Sequence, residues 1–243
     1  MENFFYQQKE SMLDEEYATF LPLKKDCKTK FGANVVRIKA TSKIFGDKKG
    51  NYSTVSQIGK KLPVRALSEE IRFLTGNSKS KSDKVLVVGI GNPYMTTDSL
   101  GAKVVRNLMQ NRKENLYLFT PFLEGITGIS SFDVVKSLTG IIKPDLIIIV
   151  DALATCDSKR VCKSFQASTA GITPGSAVGK KIHFNKQTLG ARVLAIGTPT
   201  VINVKNLTDK FDFDSNLVTP KNIDELLTQA SECIARAIQK ATE

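Results

Sequence analysis

Two aspartates, Asp98 and Asp151, occur where apolar stretches of the chain end, each in a turn of small residues. Asp98 follows the apolar run at residues 85–90, and Asp151 directly follows the aliphatic run at residues 146–150. In an open parallel sheet the ligand crevice lies outside the carboxyl ends of the strands, so both carboxylates would lie where a reaction takes place. Two carboxylates held close together do not both ionise easily, and this divides them into an acid and a base. The pattern therefore predicts a hydrolase.

The surroundings of the two aspartates suggest different roles. Asp98 lies at the predicted start of a helix, where free N–H groups and the helix dipole keep a carboxylate ionised, as a general base requires. Asp151 follows large aliphatic residues, so desolvation should raise its pKa, which suits a general acid. Each also has a structural interpretation, Asp98 as an ordinary helix N-terminal residue and Asp151 as a turn former. The pairing of the two favours the functional interpretation.

Two glycine-rich loops, at residues 121–129 and 171–179, complete the candidate site. Backbone N–H groups in such loops bind extended peptides or stabilise an oxyanion, although simple turns are the alternative interpretation. We assign substrate binding to residues of these loops and to one residue after the first apolar strand. The assigned residues are Asn92, Gly125, Thr127, Gly128, Gly171, Thr173 and Gly175.

Other types of site have little support. Gly89 and Gly91 resemble the opening of a dinucleotide fingerprint, but Tyr94 stands where the third glycine should be. The four cysteines lack the close pairing of a zinc site, and the chain has a single histidine, His183, so we expect no metal and no cofactor. We expect the cysteines to be free thiols and His183 to be a surface or hydrogen-bonded residue.

The net charge of +11 favours acidic partners in general. The lysines occur in short separate clusters without interleaved aromatic residues, so solvated loops explain them better than a nucleic-acid site, and steering of an acidic or DNA-bound partner is the alternative. No apolar run approaches the roughly 18 residues of a membrane-spanning helix, and the N-terminus lacks the features of a secretory signal. We therefore expect a cytoplasmic protein without membrane contact or direct nucleic-acid binding.

The aspartates must be positioned by a regular framework, and the pattern from residue 84 onward alternates strand and helix. This alternation predicts parallel pairing with right-handed crossovers. The fold class is α/β, a three-layer sandwich with a mostly parallel sheet and helices on both faces. We divide the chain into an N-terminal extension, residues 1–33, and a single α/β domain, residues 34–243. The predicted strands are 35–39, 52–58, 84–90, 116–120, 145–150, 161–168, 192–196 and 201–204, and the predicted helices are 67–74, 99–111, 131–139 and a final one introduced by Thr219 as N-cap and Pro220.

Taken in order, the motifs of the chain resemble those of the germination protease family of spore-forming bacteria, whose fold is similar to that of the hydrogenase maturation proteases. The resemblance runs from about Val35 to the last helix. Its motifs include two segments that resemble the catalytic-aspartate segments of the family, a glycine-threonine loop, two later loops and the start of the last helix. They are Val87–Asn92 with Thr97–Gly101, Gly125–Ile129, Lys143–Ala154, Gly171–Ser176, Ala195–Val201 and Val218–Asp224.

The resemblance implies an endopeptidase that degrades small acid-soluble spore proteins during germination, in the developing forespore and the spore core. It also implies a tetrameric zymogen that matures by loss of an N-terminal segment, which makes residues 1–33 a possible prosegment and residues 34–243 the peptidase domain. Asp98 and Asp151 then form the catalytic pair that activates water.

The chain departs from the family pattern at several positions. Thr173 stands where the family carries a histidine, and the family has an aspartate near Thr169. The connections at residues 111–121 and 205–217 are shorter, and the N-terminus lacks the family's cleavage sequence. Two alternatives therefore stay open: a metal-dependent protease of the hydrogenase maturation type, and a divergent, inactive relative that binds spore proteins or DNA.

Overall fold

The computed structural model of the chain describes residues 25–41, 49–76, 83–121, 124–174, 182–203 and 217–243. Gly175, one of the assigned substrate-binding residues, lies outside these ranges, as do residues 1–24 of the predicted extension.

The described residues form nine strands in one sheet, together with six helices and short turns. The strands are β1 (Lys25–Lys30), β2 (Ala33–Ala40), β3 (Gly50–Gln57), β4 (Val85–Gly89), β5 (Leu116–Phe119), β6 (Leu146–Thr155), β7 (Ser164–Ser168), β8 (Arg192–Asn203) and β9 (Leu217–Val218). The helices are α1 (Val64–Thr75), α2 (Leu100–Met109), α3 (Glu124–Thr127), α4 (Ser131–Ile142), α5 (Lys186–Leu189) and α6 (Ile223–Ala241). None of these helices combines the length and the apolar character needed to cross a membrane.

The sheet has the order β1-β2-β3-β7-β8-β6-β4-β5, with β9 paired to β8. Parallel pairing joins β8, β6, β4 and β5, whereas the remaining pairs are antiparallel. The α/β class is confirmed, but the sheet is mixed and parallel pairing is limited to these four strands. The pair β1–β2 illustrates the difference, because two residues join these antiparallel strands, whereas parallel strands require a longer crossover.

Helices cover both faces of the parallel strands. Val85 and Val87 of β4 belong to one core layer, which includes residues of α1, α2 and α6. Leu86 and Val88 belong to the opposite layer, with Val135 of α4 and residues of α5. Burial on both faces explains why these strands are continuous apolar runs rather than alternating ones. The three-layer arrangement predicted from the sequence is present.

β1 lies inside the segment that the sequence analysis placed in an N-terminal extension. It pairs with β2 from Lys25 opposite Ile38 to Lys30 opposite Ala33. Its side chains are mainly exposed and polar, so the strand shows no apolar alternation in the sequence. Residues 25–30 therefore belong to the edge of the sheet.

Two element boundaries near the carboxyl end also differ from the predictions. The strands predicted at 192–196 and 201–204 are one strand, β8, which passes through Pro199 with a register shift against β6. The last helix begins at Ile223 with Asn222 as N-cap, so Thr219 is not the N-cap. Thr219 Oγ1 instead donates a hydrogen bond to Thr200 O at 3.0 Å, which ties the approach to α6 to β8.

Candidate active site

Asp98 closes a single turn of 3-10 helix, Thr96–Asp98, between β4 and α2. Its carboxylate turns back toward the end of β4, where Asp98 Oδ2 accepts a hydrogen bond from Asn92 N at 2.7 Å. Gly91 makes this return possible, because its φ is 117° and a Cβ there would lie 2.0 Å from Asp98 O. A side chain at residue 91 would push the Asp98 turn away from β4.

The start of α2 packs directly on the end of β4. A Cβ on Gly89 would lie 2.2 Å from Gly101 O, and a Cβ on Gly101 would lie 2.3 Å from Ile90 O. Gly89 and Gly101 therefore allow α2 to pack closely against β4. This contact fixes the position of Asp98, which lies two residues before the first residue of α2.

A threonine from β8 holds the Asp98 turn from a second direction. Thr200 Oγ1 donates a hydrogen bond to Thr97 O at 2.6 Å, and Thr200 is 1% exposed. Ser99 Oγ donates to Thr96 O at 2.9 Å and closes the turn internally. Thr200 lies in the family-like segment Ala195–Val201, but nothing in the sequence connects it with Asp98.

Asp151 lies within β6, opposite Gly197 of β8, and is 5% exposed. Its Oδ1 accepts a hydrogen bond from Ala152 N at 2.9 Å. The last pair between β4 and β6 joins Gly89 and Val150, so Asp151 is the first residue of β6 beyond the end of β4. The structure thus brings both predicted aspartates to the carboxyl end of the same strand pair.

The two carboxylates influence each other electrostatically. The pKa of Asp151 is raised to about 8, chiefly by burial and then by the negative charge of Asp98, while the hydrogen bond from Ala152 lowers it. Burial also raises the pKa of Asp98, against the opposing hydrogen bond from Asn92. At neutral pH Asp151 therefore holds a proton, and the charge of Asp98 is one of the causes. An acid beside a base is the division that hydrolysis by a carboxylate pair requires.

The residues assigned to substrate binding differ in their relation to Asp98 and Asp151. Asn92 contacts Asp98 directly through its backbone N–H, and its Oδ1 accepts from Tyr94 N at 2.9 Å. Gly125, Thr127 and Gly128 lie in and after α3, in the connection from β5 to α4. Thr127 Oγ1 accepts from Ile129 N at 3.2 Å, and the N–H of Gly128 donates to Glu124 O at 2.7 Å. Of this group, Asn92 bonds directly to a catalytic candidate.

The loop with Gly171 and Thr173 is organised around His183. Its Nε2 lies 2.9 Å from Ala170 O and its Nδ1 lies 2.7 Å from Thr173 Oγ1. Because a carbonyl oxygen only accepts, we assign the proton to Nε2, and Nδ1 then accepts from the threonine hydroxyl. Ile172 and Phe184 exchange backbone hydrogen bonds beside it. The expectation that His183 is a hydrogen-bonded residue is confirmed.

The described residues contain no cluster of three or more histidine, cysteine, aspartate or glutamate side chains able to hold a metal ion. Asp98 and Asp151 provide two carboxylates, which is fewer than such a cluster contains. Both ring nitrogens of His183 are hydrogen-bonded, to Thr173 and to Ala170. The four cysteines are free thiols, as expected from the sequence.

Comparisons with known proteins give a consistent family. A family model described as germination protease matches residues 6–214 of the chain. The germination protease of Caldanaerobacter subterraneus subsp. tengcongensis is 34% identical over 196 residues, which is 71% of this chain and 60% of that protein. The germination protease of Bacillus subtilis (strain 168) is 35% identical over 199 residues, 72% of this chain and 54% of that protein. The chain thus spans between 54% and 60% of the length of these two relatives.

One solved structure is also similar, a [NiFe] hydrogenase maturation protease HycI from Thermococcus kodakarensis KOD1. The match has a TM-score of 0.39 and 19% sequence identity, and it covers 64% of this chain and 92% of that one.

Proposed function

The chain belongs to the germination protease family, and we propose that it is an endopeptidase in which Asp98 and Asp151 activate water against a peptide bond. The observation that carries this proposal is the electrostatic pairing of the two carboxylates at the end of β4. One of them is buried and protonated at neutral pH, and the other lies at a helix start with a backbone N–H on its carboxylate.

In the proposed reaction Asp98 is the general base and Asp151 the general acid. Asp98 takes a proton from a water molecule as the water oxygen attacks the scissile carbonyl carbon. Asp151 then gives its proton to the amide nitrogen as the carbon–nitrogen bond breaks. The products are a new carboxyl group and a new amine, and a proton passing from Asp98 to Asp151 restores the starting state. No other reactant is needed.

The proposed substrates are small acid-soluble spore proteins, as the family membership suggests. The proposed setting is the forespore and the spore core, and the proposed assembly is a homotetramer that matures from a zymogen. The net charge of +11 supports steering toward acidic or DNA-bound substrates. Asn92 and the loops that contain Gly125, Thr127, Gly128, Gly171, Thr173 and Gly175 are proposed to bind the substrate backbone.

Cleavage of a purified small acid-soluble spore protein, followed by intact-mass analysis, tests the proposal. We expect the Asp98→Asn and Asp151→Asn variants to lose activity by at least about 100-fold, since general acid and base groups contribute roughly 10²–10⁴ each. Asp133→Asn is the matched control, because Asp133 is exposed on α4. Wild-type rates in either site variant would overturn the assignment.

Two further arms separate the alternatives. Activity that disappears in chelator and returns with a divalent metal would favour a metal-dependent protease. Salt-sensitive binding of the spore protein without any cleavage product would favour a non-catalytic binding protein.

A further inference from the structure

β6 extends beyond the end of its neighbour β4. The last pair between them is Gly89 with Val150, whereas β8 pairs with β6 as far as Thr155. Within the described ranges, no strand pairs with the opposite side of β6 after Val150. We call this side of Ala152–Thr155 the open edge of β6.

The neighbouring hydrogen bonds show which main-chain groups of β6 face the open edge. Ile90 N donates to Val150 O at 2.8 Å, so the main-chain groups of Val150 point toward β4. Alternate residues of a strand point to the same side, so those of Ala152 and Ala154 point toward the open edge. The register shift does not disturb this alternation, because the extra residue, Thr200, is in β8.

Some of these groups are already engaged. The N–H of Ala152 donates to Asp151 Oδ1 at 2.9 Å, which also brings the Asp151 carboxylate to the open side of the strand. The carbonyl of Ala152 and both main-chain groups of Ala154 face the edge. A strand edge with such groups is a template for pairing with another extended chain.

We propose that the substrate binds as an extended polypeptide segment that pairs with the open edge of β6 through main-chain hydrogen bonds. The inference rests on the proposed function and specifies how the same site holds its substrate. Because Asp151 is the residue that starts the open edge, a segment paired there runs directly past the two carboxylates. Strand addition takes its affinity from the main chain and its selectivity from pockets for alternate side chains.

The side chains around the edge are suited to this role. Ala152 and Ala154 are small and half-buried, so a second backbone can approach closely. Tyr94 after β4 and Ile126 after β5 are 81% and 72% exposed, at the same carboxyl end of the parallel strands. In this binding mode they can contact apolar side chains of the bound segment.

The other end of the sheet provides a contrast. In the described part of the chain β1 pairs with β2 alone, and its sequence, KDCKTK, carries several lysines. Charged edges, especially with lysine, are protected against pairing with other chains. The open edge of β6 has the sequence Ala-Leu-Ala-Thr and carries no charge. Of these two edges, the one beside the carboxylates is the one that lacks protection.

Amide hydrogen exchange tests the pairing directly. The Asp98→Asn variant is mixed with a small acid-soluble spore protein, so that the substrate is bound but not cleaved. We expect exchange at the Ala154 amide to slow at least about tenfold, while the amides of β1 keep their rates. Protection of β1 instead, or unchanged exchange at Ala154, would overturn the inference.

A pair of proline variants provides a second measurement. Ala154→Pro removes the N–H that faces the open edge, and we expect kcat/KM to fall at least about tenfold, mainly through KM. Cys27→Pro is the matched control. Phe31 and Gly32, with φ of 50° and 74°, form a two-residue hairpin turn that directs the Cys27 N–H away from β2. Equal losses in both variants would overturn the inference.

The outcomes separate this inference from the proposed function. Cleavage by the wild-type protein without protection of Ala154 refutes strand addition and leaves the peptidase assignment intact. Protection of Ala154 without cleavage by the wild-type protein supports strand addition and refutes the peptidase assignment. If Ala154→Pro fails to fold, the exchange experiment still decides.

Discussion

Replacement of Asp151 by asparagine should change the pH dependence of stability as well as abolish activity. The pKa of Asp151 rises from 3.8 to about 8 in the folded protein, chiefly through burial and then through the charge of Asp98. Between these values the folded state keeps a proton that the unfolded state has lost. Stability therefore falls as pH rises through this window, and it is greatest, as far as Asp151 is concerned, below about pH 4.

The magnitude follows from the linkage relation. Each pH unit inside the window costs about 1.4 kcal/mol of unfolding free energy, so Asp151 alone should destabilise the wild-type protein by about 3 kcal/mol between pH 5 and pH 7. Asparagine does not titrate, and its amide oxygen can still accept the Ala152 N–H that Asp151 accepts. The variant should therefore gain about 3 kcal/mol relative to wild type over this interval.

Urea unfolding at pH 5, 6 and 7 measures this difference. In thermal unfolding, the Tm of Asp151→Asn relative to that of the wild-type protein should rise by about 6–12 °C from pH 5 to pH 7. The titration of Glu70 lies below this pH range. Although burial alone would raise its pKa, hydrogen bonds with Arg37, Lys30 and Ser53 lower it, so Glu70 is ionised in the folded protein throughout the measurement. Asp133→Asn should follow the wild-type curve. Parallel curves for wild type and Asp151→Asn would refute the assignment of a buried, protonated acid.

Three further results are expected. The kcat/KM of the wild-type protein should fall as pH rises above about 8, because Asp151 then loses the proton that it donates. Thr200→Val should lower kcat at least about tenfold and the unfolding free energy by roughly 1 kcal/mol, since it removes the hydrogen bond that holds Thr97 beside the site. Glu70→Gln should lower the unfolding free energy by about 1.5–3 kcal/mol, because the buried carboxylate accepts hydrogen bonds from Arg37 and Ser53 and pairs with Lys30, with kcat unchanged.

Each of these results has a contrary outcome. A flat pH–rate profile to pH 10 would mean that no group with a pKa near 8 acts as the acid. A Thr200→Val protein with normal kcat would show that the hydrogen bond to Thr97 is structural only. Loss of kcat in folded Glu70→Gln would show that the ion pair between Glu70 of α1 and Arg37 of β2 influences the site.

The parallel part of the fold could be predicted because its strands are buried on both faces. The aliphatic run at residues 146–150 is typical of a parallel strand that is buried on both faces. The edge strand β1 could not be predicted, since its residues are exposed and its pairing with β2 depends on a turn and on register rather than on apolar alternation. The continuity of β8 was missed because Pro199 usually marks the end of a strand, and here it lies at an irregularity of the ladder.

The positions of the two aspartates were predicted from strand ends, but the contacts that hold them were not. The hydrogen bond from Thr200 to Thr97 joins residues far apart in the chain, and neither residue type indicates a partner by itself. The length of β6 was also underestimated. After Val150 the strand continues with Asp151 and with two alanines, residue types that are depleted in strands, so the sequence placed the end of the strand at Val150.

The extension of β6 past Val150 accounts for both the raised pKa of Asp151 and the proposed binding mode. If the strand ended there, Asp151 would lie in a solvated loop, and its pKa would stay near the ordinary value for a carboxylate. Pairing with Gly197 of β8 keeps Asp151 in the sheet and buried, which raises its pKa. Because β4 stops at Gly89, the same extension leaves one side of the strand without a partner in the described chain. One mismatch in strand length therefore produces both a buried, protonated carboxyl group and the adjacent edge at which we propose that an extended peptide binds.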